Sequence, residues 1–188
     1  MIIGVCGRIG AGKETLTKFL RDKGFVYLES SKALKEELGR EGRQVTRESM
    51  QDKGDELRKK YGVGAVMIIL LDKTRKEPEK NYIFDSLRNT GEAEFLRKER
   101  EDFILIGVDA SREIRFKRML KRGKESDPKT WEEFLKVDER DNFDTSDPMG
   151  QQTGKLLEIC DYVVVNEGDL QEGLKKVEEI WSEIESKG

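Results

Sequence analysis

The amino-acid sequence predicts a three-layer α/β fold in which a five-stranded parallel sheet carries helices on both faces. Two observations predict it. Short runs rich in β-branched residues stay apolar without alternating, as strands covered on both faces do. Segments with helical spacing of apolar residues separate them. Strand and helix repeated in this way give parallel strands joined by right-handed crossovers. A chain of 188 residues is long enough for one substantial core and too short to divide comfortably into two, so residues 1–188 are read as a single domain.

The strands are Ile2–Cys6, Phe25–Leu28 (the weakest signal), Tyr82–Phe84, Phe103–Val108 and Tyr162–Val165. The first helix runs from Lys13 to Lys23 and is stopped by Gly24. Ser31 is placed to cap the next, with Leu34 and Leu38 facing inward and Gly39 at its end. Val63–Leu71 reads as a buried helix, far short of the roughly 20 apolar residues that span a bilayer. Ser111 can cap a helix that stops at Gly123, and Asp127-Pro128 supplies a cap followed by proline at the first helical position. The last helix follows Asp169 and carries Leu170, Leu174, Val177, Trp181 and Ile184 as one apolar stripe. Residues 123–150 have the thinnest core-forming pattern, with nine acidic against four basic residues and two of the three prolines. They read as a partly helical, mobile excursion from the core.

Composition narrows the function classes. Charged residues make up 40% of the chain, yet they nearly cancel to a formal charge of -3, which gives no global attraction to nucleic acid or to an anionic membrane. Cys6 and Cys160 both lie beside apolar residues and read as reduced core thiols of a cytoplasmic protein, with a disulfide between them as the less favoured alternative. A monomer or homodimer is expected. There is no histidine, so a His-based triad and a His-ligated zinc site are excluded. Catalysis is left to Lys, Arg, carboxylates, hydroxyls and backbone amides.

The stretch IIGVCGRIGAGKETLTKFL takes a strand into Gly7, then Arg8, Ile9, Gly10, Ala11, Gly12 and Lys13, and then into an amphipathic helix. Glycines let the backbone turn its N–H groups toward phosphate oxygens, the helix N-terminus adds a favourable field, and Lys13 reaches the β- and γ-phosphates. This is a phosphate-binding loop for ATP. Glu14 follows the lysine where a Ser or Thr normally contacts Mg²⁺, and Thr15 comes one step later. The arrangement resembles the loops of adenylate kinases and phage deoxynucleotide kinases, which implies a phosphate contact for Thr15. Two readings fit Glu14: contact with Mg²⁺ through water, or a charge that favours the positive end of the helix.

A second strand ends in Asp85, followed by Ser86-Leu87-Arg88. A carboxylate at the C-terminal end of a parallel strand beside the loop is where Mg²⁺ or its water shell would be held, and Arg88 would sit at the crevice with its planar fork available to a phosphate; the alternative is a capping Asp and a surface Arg. Arg115, Arg118 and Arg122 share one helix face just before the 123–150 excursion, and Arg140 lies inside it. Two readings fit the cluster: a clamp on nucleotide phosphates when the segment closes, or a solvated charged face. Arg118 and Arg122 join the loop as candidate nucleotide contacts. Ser30, Ser31, Arg47 and Arg58 fall where an acceptor is received, within about residues 30–75. Asn166-Glu167-Gly168 reads either as a turn or as an Asn166 amide contacting the base.

Together, the loop, FDSLR, DASREIRFKRMLKRG, DPKTWEEF and DYVVVNEG resemble an archaeal family described as adenylate-kinase-related or dephospho-coenzyme-A-kinase-like. The resemblance implies the nucleoside monophosphate kinase type of P-loop NTPase fold, with an acceptor region and a lid at about 123–150. Against adenylate kinases, the acceptor region lacks a threonine-glycine-aspartate start and the lid is acidic. Against dephospho-coenzyme A kinases, Leu28-Glu29-Ser30-Ser31 replaces an aspartate-rich turn. The expected activity is Mg²⁺-dependent transfer of the γ-phosphoryl group of ATP to a nucleoside monophosphate or similar nucleotide. Lys13, Asp85, Arg88, Arg122 and Arg140 are the residues expected to act on it. The alternatives are a dephospho-coenzyme A kinase proper, or a P-loop ATPase or switch that acts on a macromolecular partner.

Overall fold

The computed structural model describes residues 1–124, 127–142 and 150–187, with the backbone alone at 47, 48, 51 and 55. The Arg47 side chain and residues 143–149 of the expected lid therefore lie outside the described residues. Strands β1 (Ile2–Gly7), β2 (Val26–Glu29), β3 (Tyr82–Asp85), β4 (Phe103–Asp109) and β5 (Tyr162–Val165) form one sheet in the order β2-β3-β1-β4-β5. Every neighbouring pair is parallel, with Val5 opposite Asp85 on one side and Ile106 on the other. The expected three-layer, five-stranded architecture is what the chain adopts.

Two apolar layers explain the unbroken apolar character of the inner strands, while the edge strand β5 leaves Val163 and Val165 exposed. On one face Ile3, Val5, Ile83, Ile106 and Val164 pack against Leu16 and Leu20 of α1 (Lys13–Asp22) and Val177 and Ile184 of α9 (Leu170–Lys187). On the other, Ile2, Cys6, Phe84 and Leu105 meet α2 (Ser30–Arg40), α4 (Ala65–Thr74), α5 (Thr90–Glu99) and α8 (Thr153–Glu158) through Ala33, Met67, Leu70, Leu96 and Leu156. The helix after β1 thus covers one face and the helix after β3 covers the other. That makes the β1/β3 boundary the topological switch point, where open α/β sheets present a crevice at their carboxyl ends.

Several local expectations are corrected. Gly39 lies inside α2, which runs on to Arg40 before Gly42 takes a φ of 68°. Glu29, and not Ser31, holds the cap position of α2, and the Ser31 hydroxyl donates to the Glu29 carboxylate at 2.6 Å. Ser111 occupies the cap position of α6 (Arg112–Arg122), but its hydroxyl turns to Glu167 at 2.9 Å. Asp127-Pro128 does not open a helix: Thr130 and Glu133 cap α7 (Trp131–Asn142) reciprocally, while Asp127 accepts both forks of Arg122. Asp169 caps α9, accepting from Gln171 and Glu172, whereas Leu170 and Leu174 of the expected apolar stripe stay exposed. Helices α3 (Arg47–Tyr61), α5 and α8 carry patterns too polar or too short to stand out in the sequence.

Candidate phosphate-binding site

The loop between β1 and α1 is shaped by glycine. Gly7, Gly10 and Gly12 have φ of 147°, 77° and 92°, conformations that side chains disfavour. Space is closed as well: a Cβ at Gly12 would stand 2.4 Å from the Asn166 amide nitrogen, and one at Gly7 would stand 2.2 Å from the Val108 carbonyl oxygen. Behind the loop, the Asn166 amide donates to Ala11 O at 2.9 Å and Arg118 donates to Ala11 O at 3.2 Å. Arg115 donates to Ile9 O at 3.2 Å. Three side chains from α6 and the β5–α9 turn thus take the carbonyls of Ile9 and Ala11, while the Ala11 N–H donates back to Arg8 O at 3.2 Å.

Lys13 opens α1. Its ammonium donates to Gly7 O at 2.8 Å and Arg8 O at 3.4 Å, folding back over the loop. Burial pulls its pKa below the usual lysine value, against the opposing pull of the nearby Asp85 carboxylate. It borders a cavity of about 130 Å³ shared with Ser86, Arg88, Asp141, Gln151 and Thr153. Glu14, one position on, is exposed in the first turn of α1 and outside that lining, which favours its helix-end reading over a metal contact.

Asp85 ends β3 with its two carboxylate oxygens in different states. Tyr27 of β2 donates to Oδ2 at 2.5 Å, while Oδ1 is buried with no hydrogen-bond partner. Burial, and then the Asp85 carboxylate, push the Tyr27 hydroxyl well above its ordinary pKa, so it remains a donor. Ser86 follows with a φ of 66°, the one non-glycine residue in the left-handed region among the described residues, a strained conformation at the cavity wall. Arg88 is exposed, and its guanidinium donates to Gln151 at 2.9 Å. Its backbone is fixed from beneath: its N–H donates to the Glu92 carboxylate at 2.8 Å, and its carbonyl accepts from Gln152 N at 2.7 Å.

The α6 arginines do not form one open cluster. Arg115 is 2% exposed and pairs with Asp138 of α7, itself 1% exposed, at 2.5 Å. Burial alone would raise the Asp138 pKa, but Arg115 and Arg112 hold it below the usual carboxylate range. Around this pair Phe134 packs on Phe116 and Trp131 with ring centroids 5.5 and 5.2 Å away. The described part of the expected lid is therefore docked on α6. Arg118 grips Asn166 O at 2.9 Å and Gly168 O at 2.7 Å, and Arg122 grips Asp127 at 2.7 Å. Asn166 is turned to the loop, not outward to a base. Arg140 is exposed on α7, and it is the next residue, Asp141, that borders the Lys13 cavity. Arg8 leaves the loop sideways, pairing with Asp109 and donating to Asn142 at 2.8 Å. A wider cleft of about 710 Å³ lies beside it, lined by Asp109, Glu139, Val165 and Glu167. Its arginines are matched by Asp109 and Asp138, whereas Lys13 and Arg88 both border the smaller cavity.

Sequence reasoning brought Lys13, Asp85 and Arg88 together and missed Tyr27, Glu92, Gln151 and Thr153. Asn89-Thr-Gly-Glu92 carries the N-x-x-E spacing of a capping box, which was signal enough for Glu92. Tyr27 and Gln151 reach the site only through tertiary pairing, which no local pattern shows.

A family profile described as an AAA domain matches residues 3–145. A UPF0200 protein of Pyrococcus horikoshii is 30% identical over 188 residues, spanning 98% of this chain and 97% of that protein. The chain belongs to the UPF0200 family. A second archaeal UPF0200 protein, from Sulfurisphaera tokodaii, is 31% identical over 183 residues, 97% of each chain. Among solved structures, shikimate kinase from Aquifex aeolicus matches with a TM-score of 0.54 at 18% identity over 100% of this chain and 98% of that one. A gluconokinase from Sinorhizobium meliloti matches with a TM-score of 0.52 at 14% identity, over 99% and 96%. These likenesses show a P-loop kinase-like fold.

Proposed function

We propose that this UPF0200 protein is a kinase that transfers the γ-phosphoryl group of ATP to a nucleoside monophosphate or a similar nucleotide. The observation that carries the reading is the meeting of Lys13, Asp85 and Arg88 at the β1/β3 switch point: a lysine and an arginine border one cavity, and a carboxylate with an unpartnered buried oxygen stands close to the lysine. Phosphoryl transfer is mostly positioning and charge neutralisation, so this set needs no histidine base. That the similar folds include a shikimate kinase and a gluconokinase supports small-molecule phosphorylation.

Lys13 and the loop amides hold the donor's β- and γ-phosphates. Arg88, on its Glu92-braced turn, holds an anionic group of the acceptor. Among the described residues no cluster of three or more acidic or cysteine side chains could hold a metal alone. Mg²⁺ commonly takes one or two carboxylates and completes its shell with phosphates and water, and the unpartnered Oδ1 of Asp85 fits that demand. When bound, Mg²⁺ neutralises charge on the transferring phosphates. Arg122 and Arg140 act on the same phosphates once the lid closes, for which Arg122 has to leave Asp127.

A second reading, an ATPase that acts on a macromolecular partner, draws on the AAA description of the matched domain. One experiment separates the two: labelled ATP offered with nucleoside monophosphates, dephospho-coenzyme A, shikimate and gluconate. The kinase reading expects label in one acceptor of the nucleotide class. ATP binding and slow hydrolysis with no labelled acceptor would overturn it in favour of the ATPase.

A further inference from the structure

The two cysteines are 154 positions apart in sequence, yet the fold sets their sulfurs 3.3 Å apart. Cys6 is fully buried at the end of β1, immediately before Gly7 of the phosphate loop. Cys160 is partly exposed in the turn between α8 and β5. The turn is held on several sides. Arg97 donates to Ile159 O at 2.6 Å and to the Asp161 carboxylate at 3.1 Å, while Asp161 accepts from Leu105 N at 2.7 Å and donates its own N–H to Leu105 O at 2.9 Å. Gly107 makes the approach feasible, because a Cβ there would stand 2.9 Å from the Cys160 sulfur. Two thiols are thus kept in contact by backbone that is fixed independently of them.

We propose that Cys6 and Cys160 are a site of reversible oxidative modification directly behind the phosphate loop, closing to an intramolecular disulfide when a small disulfide acts as oxidant. The step balances by thiol–disulfide exchange. The Cys160 thiolate attacks the reagent disulfide and displaces one reagent thiol. The Cys6 thiolate then attacks the Cys160 sulfur of the mixed disulfide and displaces the second. Two electrons pass from the protein to the reagent, and the two cysteine protons leave with the released thiols. The new bond needs the sulfurs to close from 3.3 Å to about 2.05 Å.

The Cys6 thiol, and then burial, raise the Cys160 pKa, with Asp161 adding to the effect and Arg97 opposing it. A raised pKa leaves little thiolate and so slows the attack by Cys160. Once formed, the bond ties the strand that enters the loop to the turn after α8, the helix whose first residue, Thr153, borders the Lys13 cavity. It also closes most of the chain into one loop, the arrangement in which a cross-link restricts the unfolded state most. This inference is independent of what the protein phosphorylates.

The test is to treat the folded, full-length protein with dithiodipyridine. The expected result is two equivalents of released thione, a protein mass lower by about 2 Da with no adduct, a peptide bearing Cys6 linked to one bearing Cys160, and a Tm raised by on the order of 5–10 °C that returns on reduction. Cys160→Ala should release no thione while folded. A stable pyridyl adduct on Cys160, or two unreacted thiols after a time in which the unfolded chain is fully oxidised, would overturn the proposal.

Discussion

The two sides of the crevice, one proposed to hold the donor and the other the acceptor, are held in different ways. On the donor side the loop is gripped from behind by Arg115, Arg118 and Asn166, and the pair that anchors this grip, Arg115–Asp138, is almost wholly buried. On the acceptor side, α2 and α3 are joined by Lys53 to Glu41 and by Arg43 to Glu56, with acidic partners that are 40% and 50% exposed. Buried charges that lose a partner are costly, whereas exposed pairs contribute little. The phosphate loop is therefore held through an almost wholly buried pair, whereas α2 and α3, expected to receive the acceptor, are held by pairs open to solvent on their acidic side, with Lys53 itself 9% exposed.

The largest expected effect breaks the donor side. Asp138→Ala leaves Arg115 buried without its carboxylate and should cost about 3–5 kcal/mol of stability, read as a lower Tm. The same pair gives a pH dependence of definite sign. The folded Asp138 pKa lies below its unfolded value of about 3.9. Its contribution is therefore fully present above that value and is lost as pH falls through the folded pKa. Tm measured from pH 6 downward should drop less steeply in Asp138→Asn than in the wild type.

Next comes Lys13→Ala, expected to weaken triphosphate binding by about 2–3 kcal/mol, the range of charge-assisted hydrogen bonds, with Tm unchanged. Titration calorimetry reads it, and an unaltered affinity would break the reading of the loop. Glu92→Gln should be smaller, about 1 kcal/mol, appearing as weaker acceptor binding at constant ATP affinity because the carboxylate braces the Arg88 turn. Arg43→Met should leave Tm unchanged within error, since its partners are surface carboxylates. A marked loss there would show the acceptor region to be as rigid as the donor side.

This contrast also explains what was legible in the sequence. The sheet was readable because strands covered on both faces must be apolar throughout, and the loop because its glycines answer to backbone geometry that only glycine satisfies. Asp85 and Arg88 were readable from their distance after a strand end. The arginines of α6 were located but their partners were not: Arg115, Arg118 and Arg122 meet Asp138, Asn166, Gly168 and Asp127 through tertiary contacts that helical spacing cannot show. Ser31, Ser111 and Asp127 are chemically apt caps whose side chains found other partners in the folded chain. Helix α3, with its mixed charges, shows no apolar stripe to announce it.

The central claim is that one phosphoryl transfer is organised where β1 and β3 end. A crystal structure with Mg²⁺ and a non-hydrolysable ATP analogue tests it most directly. The account predicts the γ-phosphate within hydrogen-bonding reach of the Lys13 ammonium and the metal shell contacting Asp85, with Arg88 facing the γ-phosphate across the cavity. Triphosphate seated instead in the wider cleft beside Arg8 and Asp109, away from Lys13, would contradict it.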